Sequence, residues 1–246
     1  MTAVDTSYTT PSGRTRNAVR LQFVNTNTFI WIPLLVLGGA WVLTMLVWFM
    51  VLRGEFTGEY GSLGVGGGAQ APLWYFLAAG AMSMAYTFPF SQAMSLTRRE
   101  YFIGTLGAAA IAGAGFATLL TLLGMVEEAT SGYGFGGYFS YIPWLWDAGP
   151  IGAWLATLVG TIVFFLVGFW FATIYKQWGA VGLTVSIFAV ALALLGIAGI
   201  ITWQEAWPAV GRWFVQVGIV GVTGAVALVG AALATLSFVT LRRMPA

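Results

Sequence analysis

The stretch SLTRREYFIG, residues 95–104, places three consecutive charged side chains between two long apolar runs. The whole chain is only 7% charged, so the sequence Arg98, Arg99 and Glu100 is unusual in it. Arginine presents a planar fork of donors that matches a carboxylate, and a neighbouring acid fixes how a partner is aligned. These side chains suit recognition of another molecule.

Side chains for catalysis and metal binding are scarce in the rest of the chain. It contains no cysteine and no histidine. This excludes disulfides, thiolate metal sites, histidine-ligated zinc or haem, and every hydrolase that uses a histidine base. Lys176, the only lysine, lies in ATIYKQWG with no glycine before it, so a G-x-x-x-x-G-K-[ST] nucleotide loop is absent. We expect a protein that is not an enzyme, with no catalytic residue, no metal and no cofactor of its own.

The composition assigns the chain to membrane proteins. It has 246 residues, of which 59% are hydrophobic, and a mean hydropathy of +0.86. An ordinary soluble domain carries about 25% charged residues, enough to cover its surface with polar groups. This chain cannot do so, and its main solvent must be the lipid bilayer. Its formal net charge of +2 is too small to indicate nucleic acid as a partner.

Six apolar stretches are long enough to cross a bilayer, which takes about 20 residues. An all-α membrane protein with six transmembrane helices is therefore predicted. No span has an ionisable residue near its middle, which disfavours a proton-coupled carrier or a charge-selective channel. The predicted spans are 29–52, 72–95, 104–126, 150–175, 179–203 and 213–241.

The basic residues predict the orientation, because short cytoplasmic loops are rich in Arg and Lys. With both termini in the cytoplasm, only Arg53 and Arg212 face outward. The other eight basic residues then face the cytoplasm: Arg14, Arg16, Arg20, Arg98, Arg99, Lys176, Arg242 and Arg243. We therefore expect six crossings with both termini cytoplasmic.

The polar N-terminus divides into two parts. Residues 1–15 are rich in Ser and Thr and are expected to form a mobile cytoplasmic tail, and residues 29–246 form the membrane domain. In residues 16–28, Arg16 and Arg20 share one helix face, and Val19 and Phe23 share another. This pattern predicts a short amphipathic helix in the inner headgroup region, before the first span. A basic anchor without a partner explains the same pattern.

The second predicted outer loop is strongly aromatic. Seven of the 16 residues in SGYGFGGYFSYIPWLW, 131–146, are Tyr, Phe or Trp. Tyr and Trp favour the headgroup region, so the loop is typical of an interfacial aromatic belt. A lid or exit for an apolar substrate is the second interpretation.

The charged stretch itself has two interpretations. Pro89 removes a helix hydrogen bond shortly before it, and a bend there would turn the chain into a short helix along the membrane surface. That helix would present Thr97, Arg98, Arg99 and Glu100 to the cytoplasm. The alternative is a basic loop that only fixes the orientation of the neighbouring spans.

The segment FPFSQAMSLTRREYFIGT resembles the connection between the second and third spans of ABC-2 type transporter permeases. It is most similar to small actinobacterial members with the pattern A-x-x-L-T-R-R-[DE]-[FY]-[FY]-x-G-T. The matching residues are Ala93, Leu96, Thr97, Arg98, Arg99, Glu100, Tyr101, Phe102, Gly104 and Thr105. The last outer loop, TWQEAWPAVGR, is short compared with the re-entrant helices of larger relatives.

The resemblance implies a role for each of these elements. Ser95, Leu96, Thr97, Arg98, Arg99, Glu100 and Tyr101 would couple the chain to a separate ATPase subunit that binds ATP and Mg. The chain would then be the membrane half of an exporter of an amphiphilic drug, peptide or lipid. Its expected partners are an ABC ATP-binding subunit and a second permease, identical or paralogous, in the bacterial plasma membrane. An ATP-independent secondary carrier, or a structural subunit of a membrane complex, is the alternative.

Overall fold

The computed structural model describes residues 11–24, 26–53 and 67–243, and these residues are almost entirely helical with no strand among them. The first helix is short, and a π-helical turn at Asn27–Trp31 leads into a longer apolar second helix. The helices are α1 (Pro11–Gln22), α2 (Ile32–Arg53), α3 (Ala71–Met82), α4 (Phe88–Ala93), α5 (Arg98–Ala129), α6 (Gly149–Trp203) and α7 (Trp207–Arg242). The all-α class predicted from the sequence is confirmed.

Four helical segments are long and apolar enough to cross a membrane, which is fewer than the six predicted. They are Asn27–Met50, Arg98–Ala129, Gly149–Trp203 and Trp207–Arg242. The predicted span 72–95 is instead divided among α3, a π-helical turn and α4, each too short alone. The predicted spans 150–175 and 179–203 lie together in α6. The chain thus has the helices of a multi-pass membrane protein.

A π-helical turn at Ser83–Thr87 separates α3 from α4, whose second residue is Pro89. Proline has no backbone N–H to donate to the preceding turn, so the regular hydrogen-bond pattern must change there. The carbonyl oxygen of Ser83 accepts the hydroxyl of Tyr101 at 2.7 Å. The irregular turn therefore joins the α3–α4 segment to α5.

Two glycines interrupt the long helices. Gly179 in α6 has φ 68° and ψ −165°, and Gly218 in α7 has φ 62° and ψ −178°. These backbone angles lie in a region that side chains other than glycine's rarely adopt. Each glycine therefore divides its helix into two parts with different directions. The predicted span 213–241 begins before the break at Gly218.

Helices α3 and α6 cross with their backbones in contact. A Cβ atom at Gly168 would overlap the carbonyl of Leu77, and one at Gly80 would overlap the carbonyl of Phe165. Small residues allow this approach, and van der Waals packing is what holds helices together in lipid. Buried aromatic side chains lie around the crossing, among them Phe76, Phe165 and Phe169. The crossing is the centre of the helix bundle.

The first half of α6 and the second half of α7 run parallel to each other. Thr173 and Thr240 are linked through their hydroxyls at 3.2 Å, and a Cβ at Gly230 would touch Val163. Both contacts join residues 67 positions apart, which only parallel helices in one register allow. The second half of α6 is different, since Val185, Leu192 and Leu195 are each more than 60% exposed.

We predict that Gly168→Ala destabilises the fold, because the new methyl group must push α3 and α6 apart. Overpacking of this kind costs about 1 to 3 kcal/mol. Thermal unfolding in detergent, followed by circular dichroism, should show a lower Tm. Gly196→Ala is the matched control, since a Cβ there meets nothing within 4 Å. Equal melting temperatures for the two variants would contradict the close crossing.

Candidate functional site

The charged stretch lies at the start of α5 and not on a helix of its own. Helix α4 ends at Ala93, a short turn follows with Ser95 at φ 58°, and α5 begins at Arg98. The expected surface helix is therefore wrong: the charged residues form the first turn of a 32-residue helix. The reason is a strong start signal at Thr97.

Thr97 and Glu100 form a capping box. The Thr97 Oγ1 accepts the backbone N–H of Glu100 at 3.2 Å, and the Glu100 carboxylate accepts the backbone N–H of Thr97 at 2.9 Å. These bonds satisfy donors that have no partner at the beginning of a helix. The side chains of both residues are therefore held by the local backbone.

Arg98 reaches the end of another helix. Its Nη1 donates to the carbonyl oxygens of Leu241 at 3.2 Å and Arg242 at 3.0 Å, where α7 ends. A cation suits this position because the last carbonyls of a helix lack partners and carry partial negative charge. Arg98 thereby ties the start of α5 to the end of α7.

The other predicted coupling residues differ in their surroundings. Tyr101 is fully buried, and its ring stacks near Phe169. Leu96 is half-buried, whereas Ser95 and Arg99 are exposed. The predicted segment therefore mixes core, capping and surface residues, and Arg99 is its exposed cation.

Helix α1 packs on α5 instead of lying apart from it. Ala18 and Leu21 are buried, and a Cβ atom at Gly104 would overlap Ala18. The helix spans Pro11–Gln22, so it includes the last part of the predicted tail 1–15; residues 1–10 lie outside the described range. Of the residues predicted for the 16–28 helix, Arg16 and Arg20 are exposed, and Val19 and Phe23 are half-buried.

A buried amide holds α1 in place. The Gln22 Nε2 donates to Thr105 Oγ1 at 2.7 Å, and Gln22 Oε1 accepts from Ser83 at 3.3 Å and Thr87 at 3.1 Å. Gln22 is only 3% exposed, so it joins α1, α5 and the π-helical turn through one side chain. Buried polar groups of this kind specify one arrangement, because each would be costly without its partners.

These contacts bring α1, the first turn of α5 and the last turn of α7 together at one end of the bundle. Lys176 lies at the same end, 5.1 Å above the ring of Phe88 in α4. We call this the basic end. Its exposed cations are Arg16, Arg20, Arg99, Lys176, Arg242 and Arg243. The arrangement can bind an acidic surface or anionic lipid headgroups.

The opposite end of α5 holds a buried carboxylate. Glu127 is fully buried, and its Oε2 accepts three consecutive backbone N–H groups: Phe139 at 3.1 Å, Ser140 at 2.8 Å and Tyr141 at 2.8 Å. Its Oε1 accepts the hydroxyl of Tyr133 at 3.3 Å. Hydrogen bonds to charged groups are among the strongest in proteins, so this carboxylate anchors the aromatic loop.

Tyr133 extends the anchor to α2. Its hydroxyl accepts the indole N–H of Trp41 at 3.1 Å. Burial, and secondarily the charge of Glu127, raise the pKa of Tyr133. The hydroxyl therefore stays protonated over the physiological range and donates to the carboxylate.

The aromatic loop has an inner and an outer set of side chains. Phe139 is fully buried and Trp146 is 7% exposed, whereas Phe135 and Trp144 are more than a third exposed. The outer set fits the predicted aromatic belt. Trp146 of the inner set lines an open pocket of about 150 Å³ between α3, α5 and α6. The exposed side chains are therefore those that suit an interfacial belt, and the lid remains the second interpretation of the loop.

The sequence analysis missed the role of Glu127. Its partners are main-chain groups 12 to 14 residues away, and their residue types carry no signal of the contact. The signal that the sequence offers is an acid at the end of an apolar stretch, directly before a Gly-rich loop. Within the described ranges, no group of three Cys, His, Asp or Glu residues could hold a metal ion.

No family model, curated protein or solved structure matches this chain.

We predict that Glu127→Ala frees the aromatic loop, because three consecutive backbone N–H groups lose their acceptor. A hydrogen bond to a charged group contributes about 1.5 to 3 kcal/mol, so amide exchange in residues 132–147 should rise roughly a hundredfold. Hydrogen exchange with mass spectrometry measures this.

Glu128→Ala is the matched control for this experiment. Glu128 is exposed, and its Oε1 contacts only the Tyr141 hydroxyl among the described hydrogen bonds, at 3.4 Å. Unchanged exchange in the loop of Glu127→Ala, or equal effects of both variants, would remove the anchor role.

Proposed function

We propose that this chain is the transmembrane permease subunit of an ABC transporter, powered by a separate ATPase subunit. The observation that carries the proposal is the basic end, where α1, the start of α5 and the end of α7 meet. The resemblance of residues 88–105 to ABC-2 type permeases gives the basic end its proposed partner. A compact group of exposed arginines suits the acidic surface of a soluble subunit.

Transport of an amphiphilic molecule out of the cytoplasm is the proposed activity. ATP and Mg would be bound by the partner, since the sequence has no phosphate-binding loop. Two permeases would form one pathway in the bacterial plasma membrane. The exposed apolar second half of α6 supplies surface for such pairing, although contact with lipid explains its exposure equally well.

The proposal includes six crossings. A straight helix of 55 residues would be about 80 Å long, far more than the 30 Å of hydrocarbon. The break at Gly179 divides α6 into two lengths that each suit one crossing. The α3–α4 segment, Ala71–Ala93, is also long enough when its π-helical turn is included. The positive-inside rule then puts the basic end in the cytoplasm.

Single introduced cysteines test the predicted topology. The chain has no cysteine of its own, so any labelling reports the introduced site. Ser95→Cys and Lys176→Cys should be protected from an impermeant thiol reagent in intact cells, and Ser131→Cys and Gln204→Cys should react. Ser95 and Ser131 form a matched pair, since both are exposed and have positive φ. Reaction of Lys176→Cys and Gln204→Cys from the same side would show that the second half of α6 does not cross.

The structure changes which residues can test the docking. Thr97 and Glu100 cap their own helix, and Arg98 bonds to the end of α7, so changes at these positions disturb the fold as well as any partner. Arg99 is exposed on the first turn of α5, and Arg16 and Arg20 are exposed on α1. A docking test is therefore best made at one of these exposed arginines.

We predict that Arg99→Glu lowers the amount of ATP-binding subunit that purifies with a tagged chain by at least about tenfold. Reversal of one contact charge replaces an attraction by a repulsion at an interface. Quantitative mass spectrometry of the purified complex measures the ratio of the two subunits.

Arg212→Glu is the control for this change, because it makes the same charge reversal at an exposed residue away from the basic end. Both variants should reach the membrane in normal amounts. A chain that purifies without any ATP-binding subunit, or an Arg99→Glu chain that retains all of it, would favour the alternative of an ATP-independent carrier or structural subunit.

A further inference from the structure

An apolar groove lies on the outside of the bundle between α2 and α5. Its volume is about 350 Å³, and none of the side chains that line it is polar or charged. Ile111, Gly115 and Leu119 form its exposed α5 side, and their spacing of four residues puts them on one helix face. Buried Phe76 and Phe116 form its floor. Both bordering helices belong to segments long enough to cross a membrane, so the groove opens onto lipid.

Helix α1 borders this groove at the basic end. Phe23, which directly follows α1, lines the groove itself. The Val19 side chain lies against Gly107, which is one turn before Ile111 on the same face of α5. Helix α5 begins with its charged residues shortly before Gly107. This end of the groove is therefore close to the headgroup layer of the bilayer.

Two exposed arginines stand beside that end of the groove. Arg16 and Arg20 lie on α1, three residues before and one residue after Val19. The backbone N–H of Phe23 donates to the carbonyl of Arg20 at 3.1 Å, so these two residues belong to one turn. Residues 11–53 contain no acidic residue, so neither α1 nor α2 supplies an opposite charge. An amphiphile with an anionic head and an apolar chain matches this order of charge and groove.

We propose that the groove binds an anionic phospholipid from the leaflet at the basic end. One acyl chain lies along the exposed face of α5, and the phosphate accepts hydrogen bonds from Arg16 and Arg20. A helix of a second copy also suits the apolar walls, but it gives the two arginines no counter-charge, whereas a lipid phosphate does. The site is separate from the proposed ATPase docking, which is tested at Arg99, and does not depend on it.

Paired lipids test the charge. The full-length chain is purified in detergent micelles and titrated with phosphatidylglycerol and, separately, with phosphatidylcholine that carries the same two acyl chains. Native mass spectrometry counts the bound lipids. Phosphatidylglycerol should bind at least about tenfold more tightly, since each arginine near an anionic lipid raises the affinity roughly fivefold. Arg16→Gln together with Arg20→Gln should remove this preference and leave phosphatidylcholine unchanged.

Arg242→Gln together with Arg243→Gln is the matched control for the charge. It removes two exposed cations from the same end of the bundle, but from α7 and the residue after it. This variant should keep the preference for phosphatidylglycerol. An unaltered chain that binds both lipids equally overturns the proposal, as does an equal loss of preference in the two double variants.

A further variant tests the groove. A Cβ atom at Gly115 meets nothing within 4 Å, so Gly115→Leu puts its side chain into the open groove and not into the core. It should weaken both lipids at least about tenfold, because the acyl chain loses its contacts there, whereas binding of a free phosphate would be unaffected. Gly199→Leu is its control, since a Cβ at this exposed position of α6 is equally free.

Two results with the groove variant overturn the proposal. One is lipid binding by Gly115→Leu that equals that of Gly199→Leu. The other is a dimer of the chain that Gly115→Leu alone converts to a monomer, which would assign the groove to a second copy. If Gly115→Leu does not fold, the two double arginine variants decide alone.

Discussion

Backbone groups at the ends of helices need partners, and this requirement determines how the chain uses its few charged side chains. Hydrocarbon offers no hydrogen bonds, so every N–H and C=O that leaves a helix near lipid must be satisfied by the protein or at the interface. Glu100 serves the first turn of α5, Arg98 serves the last turn of α7, and Glu127 serves the loop after α5. Arg98 and Glu127 each join two segments that hydrophobic packing alone would not align.

The apolar helix surfaces between these hydrogen-bonded ends can then do without specific side-chain contacts. In the second half of α6, side chains are exposed on every face and need only be compatible with lipid or with another chain. Specific packing is concentrated where glycine allows backbones to touch, as at Gly80 and Gly168. Position in the bundle is thus determined by a few small and a few polar residues.

Hydrophobic length and helix-start chemistry were readable from the sequence, but the tertiary contacts of single charges were not. The break at Gly179 matches the predicted separation of two spans at 176–179. The T-x-x-E pattern at Thr97 is a standard capping box, and in the structure Thr97 and Glu100 bond to each other. Local chemistry explains those two residues, which leaves Arg99 and the arginines of α1 as the exposed basic surface of this end. The partners of Arg98 and Glu127 depend on the folded arrangement of distant backbone.

The two hydrogen bonds from Arg98 to the end of α7 couple the positions of α5 and α7. Arg99 is the next residue along the same helical turn. A force applied at Arg99 would therefore act on α5 beside Arg98, which bonds to the carbonyls of Leu241 and Arg242. A displacement of the first turn of α5 would pull on α7 without passing through the hydrophobic core. Gly218 interrupts α7 some 24 residues before Arg242. The part of α7 that such a displacement would move as a rigid unit therefore ends at Gly218.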